Sequence, residues 1–191
     1  LTIVDISLDR EKDHPQLIFE SLNSKGLDLD EADLIRNYIL MGQPEDLQKQ
    51  LYEDYWQPME ERFVDGEKKA LQWYIRNYLT YKTGTIPKIG EIYDNFKDFR
   101  HHSDSSIDEI VSEIYKFSKY YTNFSLLLEE DKDLKEKFAA INTLQVTVSY
   151  PFLLLISKTG CINFLLLPYH LILIFFLFDI PSKFSLIDDS F

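Results

Sequence analysis

Between Ile107 and Phe124 the apolar residues Ile107, Ile110, Val111, Ile114, Phe117, Tyr121 and Phe124 recur at steps of three and four. Only an α-helix puts that spacing on one face, so the segment predicts a long helix with one buried stripe. Ser106 followed by Glu109 predicts a capping box at its start. A chain that builds a helix of this kind must supply other helices to cover it. The remainder of the sequence does so repeatedly.

Pro15 suits the first turn of a helix, where its missing N–H is not needed, and Leu17, Ile18 and Leu22 form its apolar stripe. Gly26 fits the left-handed residue that ends this helix, with Leu27 folding back over it. Asp30 is placed to cap the next helix, with Glu31 and Asp33 in its first turn and a stripe of Leu34, Ile35, Tyr38 and Ile39. Gly42 and Pro44 mark a stop and a restart. Leu47, Leu51, Tyr55, Met59 and Phe63 predict a third helix, which Pro58 should bend or cut short.

Asp65-Gly66 breaks the chain before a fourth helix on Leu71, Ile75, Tyr78 and Leu79, which ends at Thr83-Gly84. A shorter helix is predicted from Ile89 to Phe99, then a polar loop from His101 to Ser105. After the long helix, Glu129 to Asp133 reads as a charged turn. A last helix through Phe138 and Ile141 leads to Tyr150-Pro151. Leu1 to Leu8 alternates apolar and polar residues, as a half-buried strand does. The expectation is a mainly α, multi-helix domain with a short N-terminal β-strand.

Composition narrows the function. The chain has 191 residues, 14 Phe, 12 Tyr and 2 Trp but only 6 Gly and 7 Pro, which suits one compact helical domain with an aromatic core. Trp56 and Trp73 are assigned to that core. The net charge of −12 opposes binding of a phosphate backbone by this chain alone. One cysteine, Cys161, rules out an internal disulfide and fits a reducing, cytoplasmic setting. His101 and His102 are adjacent and no Cys-x-x-Cys or His-Glu-x-x-His spacing occurs, so no metal site is expected.

Two segments carry a family resemblance. Phe19-Glu20-x-x-Asn23-Ser24-Lys25-Gly26-x-x-Leu29 followed by Asp33-Leu34-Ile35-Arg36-Asn37 resembles the core signature of the GmrSD-type restriction endonucleases, in their N-terminal ParB/sulfiredoxin-like domain (domain of unknown function 262). Ser149-Tyr150-Pro151-Phe152-Leu153-Leu154 is similar to a second segment of that domain. The resemblance spans roughly residues 1 to 157. It implies a fragment of an α+β ParB/sulfiredoxin-like domain from a nucleotide-dependent, DNA-targeting defence protein of bacteria, with nucleoside triphosphate and Mg²⁺ used by the intact protein. The family's Asp-Gly-Gln-Gln-Arg motif and its His-Asn-His-type nuclease domain occur nowhere in this sequence. The chain accordingly reads as the helical part, inactive by itself, meeting DNA only through other domains or a companion subunit.

The resemblance makes Asn23, Ser24, Lys25, Gly26, Asp33, Arg36 and Asn37 the nucleotide-binding candidates. Asn23 leads them, because its amide both donates and accepts. Its plainer role is to bond its own backbone near the turn. Glu20 is the one candidate for catalysis. Its plainer role is an ion pair between helices, with Arg36 as a partner. Lys25 is by default a solvated lysine.

Domain organisation divides at residue 160. Residues 1–159 read as the helical domain. Residues 160–191 form an apolar tail with a single basic residue, Lys183, and read as vestigial or out of frame. Within it the run 161–178 approaches the about 20 apolar residues a membrane helix needs, but contains Pro168 and His170. The competing readings are a non-catalytic helical interaction module and, least favoured, a protein anchored in a membrane by 161–178.

Overall fold

The computed structural model describes residues 29–64, 69–145 and 147–159. The predicted strand Leu1–Leu8, the helix on Leu17 to Leu22, the break at Asp65-Gly66 and the tail 160–191 lie outside these residues.

The described chain is mainly helical, and no strand occurs among the described residues. Helix α1 spans Glu31–Leu40, α2 Glu45–Gln50, α3 Gln57–Arg62, α4 Ala70–Thr83, α5 Ile92–His101, α6 Ile107–Ser125, α7 Lys132–Thr143 and α8 Tyr150–Thr159. Helices α4 and α6 form the central pair. Around them pack α1 and α5 against α4, α7 against α6, and α8 against both.

The start signals act as the sequence implies. Asp30 Oδ1 accepts from the backbone N–H groups of Ala32 and Asp33 at 2.8 and 3.1 Å. The capping box of α6 forms, with the Ser106 N–H donating to Glu109 Oε2 at 2.9 Å. Gly84 ends α4 with φ +71°, a conformation an L side chain adopts only with strain.

The third helix departs from expectation. Pro58 does not end it, since the helical run continues to Arg62 with Pro58 in the first turn of α3. Between α2 and α3 the backbone runs through a π-helical stretch, Leu51–Trp56, and the Gln57 N–H reaches back to the Tyr52 carbonyl. A π turn is wider than an α turn, which leaves room for the proline ring that would otherwise meet the carbonyl four residues back. The same turn resets the buried stripe by an i, i+5 step. Leu51, Trp56, Met59 and Phe63 are buried, whereas Tyr55 is only half-buried. The regular spacing through Tyr55 had implied otherwise.

The fifth helix also begins later than Ile89, which is 64% exposed. Gly90 at φ +87° turns the chain there. No side chain adjacent to α5 caps it. Its N-terminus is served instead by Glu31 of α1, whose Oε2 accepts from the Tyr93 N–H at 2.5 Å. Burial raises the Glu31 carboxyl above its usual range, with Asp94 and Asp30 adding to the effect and the hydrogen bond opposing it. An acid predicted to favour its own helix thus joins two helices.

The aromatic residues form one continuous path through the core. It runs from Tyr38 to Phe96, Phe99, Tyr78, Tyr74, Tyr121 and Phe124, ending on Phe138 and Tyr150. Edge-to-face and tilted ring pairs of this kind stabilise by about 0.5–1.5 kcal/mol beyond area burial. The path crosses α1, α5, α4, α6, α7 and α8, so it ties every layer to the next.

Two phenols inside this core need partners. The Tyr74 hydroxyl donates to the Ile114 carbonyl, and the Tyr78 hydroxyl donates to Glu113 Oε2 at 2.8 Å. Burial pushes both phenols well above the usual tyrosine range, with Glu113 contributing. Lys82 Nζ bonds the same Glu113 oxygen at 2.7 Å. Burial alone would raise the Glu113 carboxyl, but the hydrogen bonds from Lys82 and Tyr78 outweigh it and hold it below the usual carboxylate range.

The sign follows from that lowered value. A carboxyl that is more acidic in the folded state stabilises the fold above its unfolded pKa and loses that contribution as pH falls through the folded value. Urea unfolding between pH 7 and pH 3 should therefore show a shallower acid limb for Glu113→Gln than for the wild type. The difference is expected to be about 1 kcal/mol, since the group is partly exposed and solvent-screened. Parallel limbs would remove Glu113 from the acid response.

Candidate functional site

Of the candidate residues, Asp33, Arg36 and Asn37 fall on α1. Glu20, Asn23, Ser24, Lys25 and Gly26 lie outside the described residues. Asp33 and Arg36 meet directly, with Arg36 Nη2 2.8 Å from Asp33 Oδ1. The other arm of the guanidinium, Nη1, donates to Glu60 Oε1 on α3 at 2.8 Å. That same oxygen accepts the indole N–H of Trp56 at 2.7 Å. Burial works against the Arg36 charge, but Glu60 and Asp33 outweigh it and raise its pKa.

Arg36 is therefore a cross-brace between α1 and the π–α3 segment. Both of its forked arms are engaged by carboxylates. The sequence had offered Glu20 as a structural partner for it; among the described residues the partners are Asp33 and Glu60. Asn37 lies one turn beyond Asp33 and is half-buried. Its side chain makes no hydrogen bond with another described residue.

A shallow groove of about 180 Å³ opens beside the brace, bounded by Asp30, Asp33, Glu60, Lys69 and Gln72. Three carboxylates face a single lysine there. That balance disfavours a phosphate unless cations come from elsewhere. Among the described residues, no group of His, Cys, Asp or Glu is arranged to hold a metal ion.

The larger cavity lies elsewhere and was not foreseen. It measures about 450 Å³ and opens between α4, the end of α6 and the start of α8. Trp73 and Arg76 of α4 line it, as do Tyr150 and Pro151 of the second resemblance segment. Trp73 is half-buried on this wall, not fully enclosed in the core as composition had suggested. Arg76 Nε donates to the Pro87 carbonyl at 2.7 Å, and its guanidinium carbon sits 5.6 Å from the centre of the Trp73 ring. The sequence did carry a signal, Trp73-x-x-Arg76, an aromatic and a cation one helical turn apart.

No known protein family, curated protein or solved structure matches this chain. The fold and brace define a helical, aromatic-cored domain. No helix of the described residues is long and apolar enough to cross a membrane.

Proposed function

We propose that this chain is the helical portion of a GmrSD-like, nucleotide-dependent, DNA-targeting defence protein. The observation that carries the reading is the motif from Phe19 to Asn37. Supporting it, the second half of that motif begins an α-helix at an Asp30 cap, with Asp33, Arg36 and Asn37 in its first two turns. In this reading Asn23 is the residue assigned to the nucleotide, because its amide both donates and accepts, and Lys25 is assigned to a phosphate. Mg²⁺, which the resemblance implies for the intact protein, would supply further positive charge to the phosphates. Contact with DNA falls to other domains or to a companion chain, since a net charge of −12 opposes it here.

Calorimetric titration of the full chain with ATP and with GTP, each with Mg²⁺, tests the reading. Saturable binding is expected, weakened at least tenfold by Asn23→Ala. Absence of binding, or equal binding by the variant, would overturn the assignment of this turn as a nucleotide site.

A further inference from the structure

Among the described residues, the wall of the 450 Å³ cavity holds one charged side chain, Arg76. In a chain with 32 acidic residues, this guanidinium has no carboxylate partner among the described residues. Its Nε donates to the Pro87 carbonyl, and its guanidinium carbon lies 5.6 Å from the centre of the Trp73 ring. Burial lowers its pKa and no neighbouring charge offsets the effect. A half-buried cation left unpaired within an acidic protein is costly unless an anion meets it.

Other polar residues line the same space, Asn77 and Thr80 among them. Ser125 also lines the cavity, but its Oγ is turned away from the open space and has no hydrogen-bond partner among the described residues. Asn77 also lines the cavity, its amide nitrogen donating to the Trp73 carbonyl at 2.8 Å and to the Tyr121 hydroxyl at 3.4 Å. The rest of the lining is aromatic or aliphatic, including Ile86, Val148 and Pro151. An apolar pocket of a few hundred Å³ with a few convergent polar groups is the usual form of a small-molecule site.

We infer that this cavity binds a small organic carboxylate with a flat apolar body, its carboxylate on the Arg76 guanidinium and its ring against Trp73. A carboxylate fits better than a phosphate ester for a reason of charge. One guanidinium balances a monoanion, whereas a dianion would stay under-neutralised in a protein of net charge −12. The site shares no residue with the nucleotide candidates and does not rest on that reading.

The two tryptophans provide the test, because only Trp73 lines the cavity while Trp56 is buried against Glu60. In ¹H–¹⁵N spectra of the full chain, titration with 2-naphthoate should move the Trp73 indole signal to saturation and leave that of Trp56 in place. Neutral 2-naphthamide should bind at least tenfold more weakly. Arg76→Gln should weaken naphthoate binding at least tenfold, with Arg76→Lys between the two. Equal affinity for the acid and its amide overturns the inference without recourse to any variant. So does a Trp73 signal that fails to saturate, or an Arg76→Gln protein that binds naphthoate as the wild type does.

Discussion

Phe124→Ala is expected to lower the free energy of unfolding by about 3–5 kcal/mol, as truncating a large buried aromatic does. Phe124 is fully enclosed near the C-terminal end of α6. Its ring lies 5.2 Å from Tyr121, 5.9 Å from Phe138 of α7 and 5.1 Å from Tyr150 of α8, centre to centre. Removing it opens a hole where both of the last two described helices meet α6. A second fastening runs close by: Asn142 donates to the Phe124 carbonyl at 2.9 Å, and the Tyr150 hydroxyl donates to Asn142 Oδ1 at 3.0 Å. Those bonds depend on α6 keeping its path, so the cavity cannot collapse without disturbing them. Domains of this size are stable by about 5–15 kcal/mol, and the variant should unfold at much lower urea with an unchanged dependence on denaturant. A cost below about 1.5 kcal/mol would mean that α7 and α8 are not seated on α6 as described.

Most of that framework was legible in the residues. The stripe from Ile107 to Phe124, the Asp30 cap, the Ser106–Glu109 box and the Gly84 stop are local signals, and each acts where it stands. What escaped the sequence was non-local. The π turn answers to a proline and to the burial of Trp56, and a spacing rule tuned to α-helices passes over it to Tyr55. Glu31 reads as an acid of its own helix, yet its bond is to Tyr93, far along the chain.

The candidate site divides in the same way. Asp33 and Arg36 are near enough in sequence to be paired by helical spacing, but Glu60 comes from another helix. The cavity at Arg76 is assembled from three helices, so no single stretch announces it. Only Trp73-x-x-Arg76 and the Tyr150-Pro151 segment mark its walls in advance.

Glu60→Ala is expected to destabilise the fold by about 1.5–3 kcal/mol, because it strands a buried donor and half of a charged fork. One carboxylate oxygen, Glu60 Oε1, serves both the Trp56 indole N–H and Arg36 Nη1. Trp56 is 1% exposed, so water cannot readily replace the lost acceptor, whereas Arg36 keeps Asp33 and partial access to solvent. The larger share of the cost should therefore arise at the indole. Glu60→Gln retains an oxygen acceptor and should cost about 1 kcal/mol or less. A double-mutant cycle with Trp56→Phe, read by urea unfolding, separates the two contributions. In the phenylalanine background Glu60→Ala should cost at least about 1 kcal/mol less than in the wild type. An equal cost in both backgrounds would assign the whole effect to Arg36. That distinction bears on function. If Arg36 is held mainly by Asp33, its guanidinium can turn toward a ligand at modest cost. If Glu60 holds it firmly, Arg36 acts as a strut, and loss of nucleotide binding in an Arg36 variant would report on the fold of α1 rather than on contact with a phosphate.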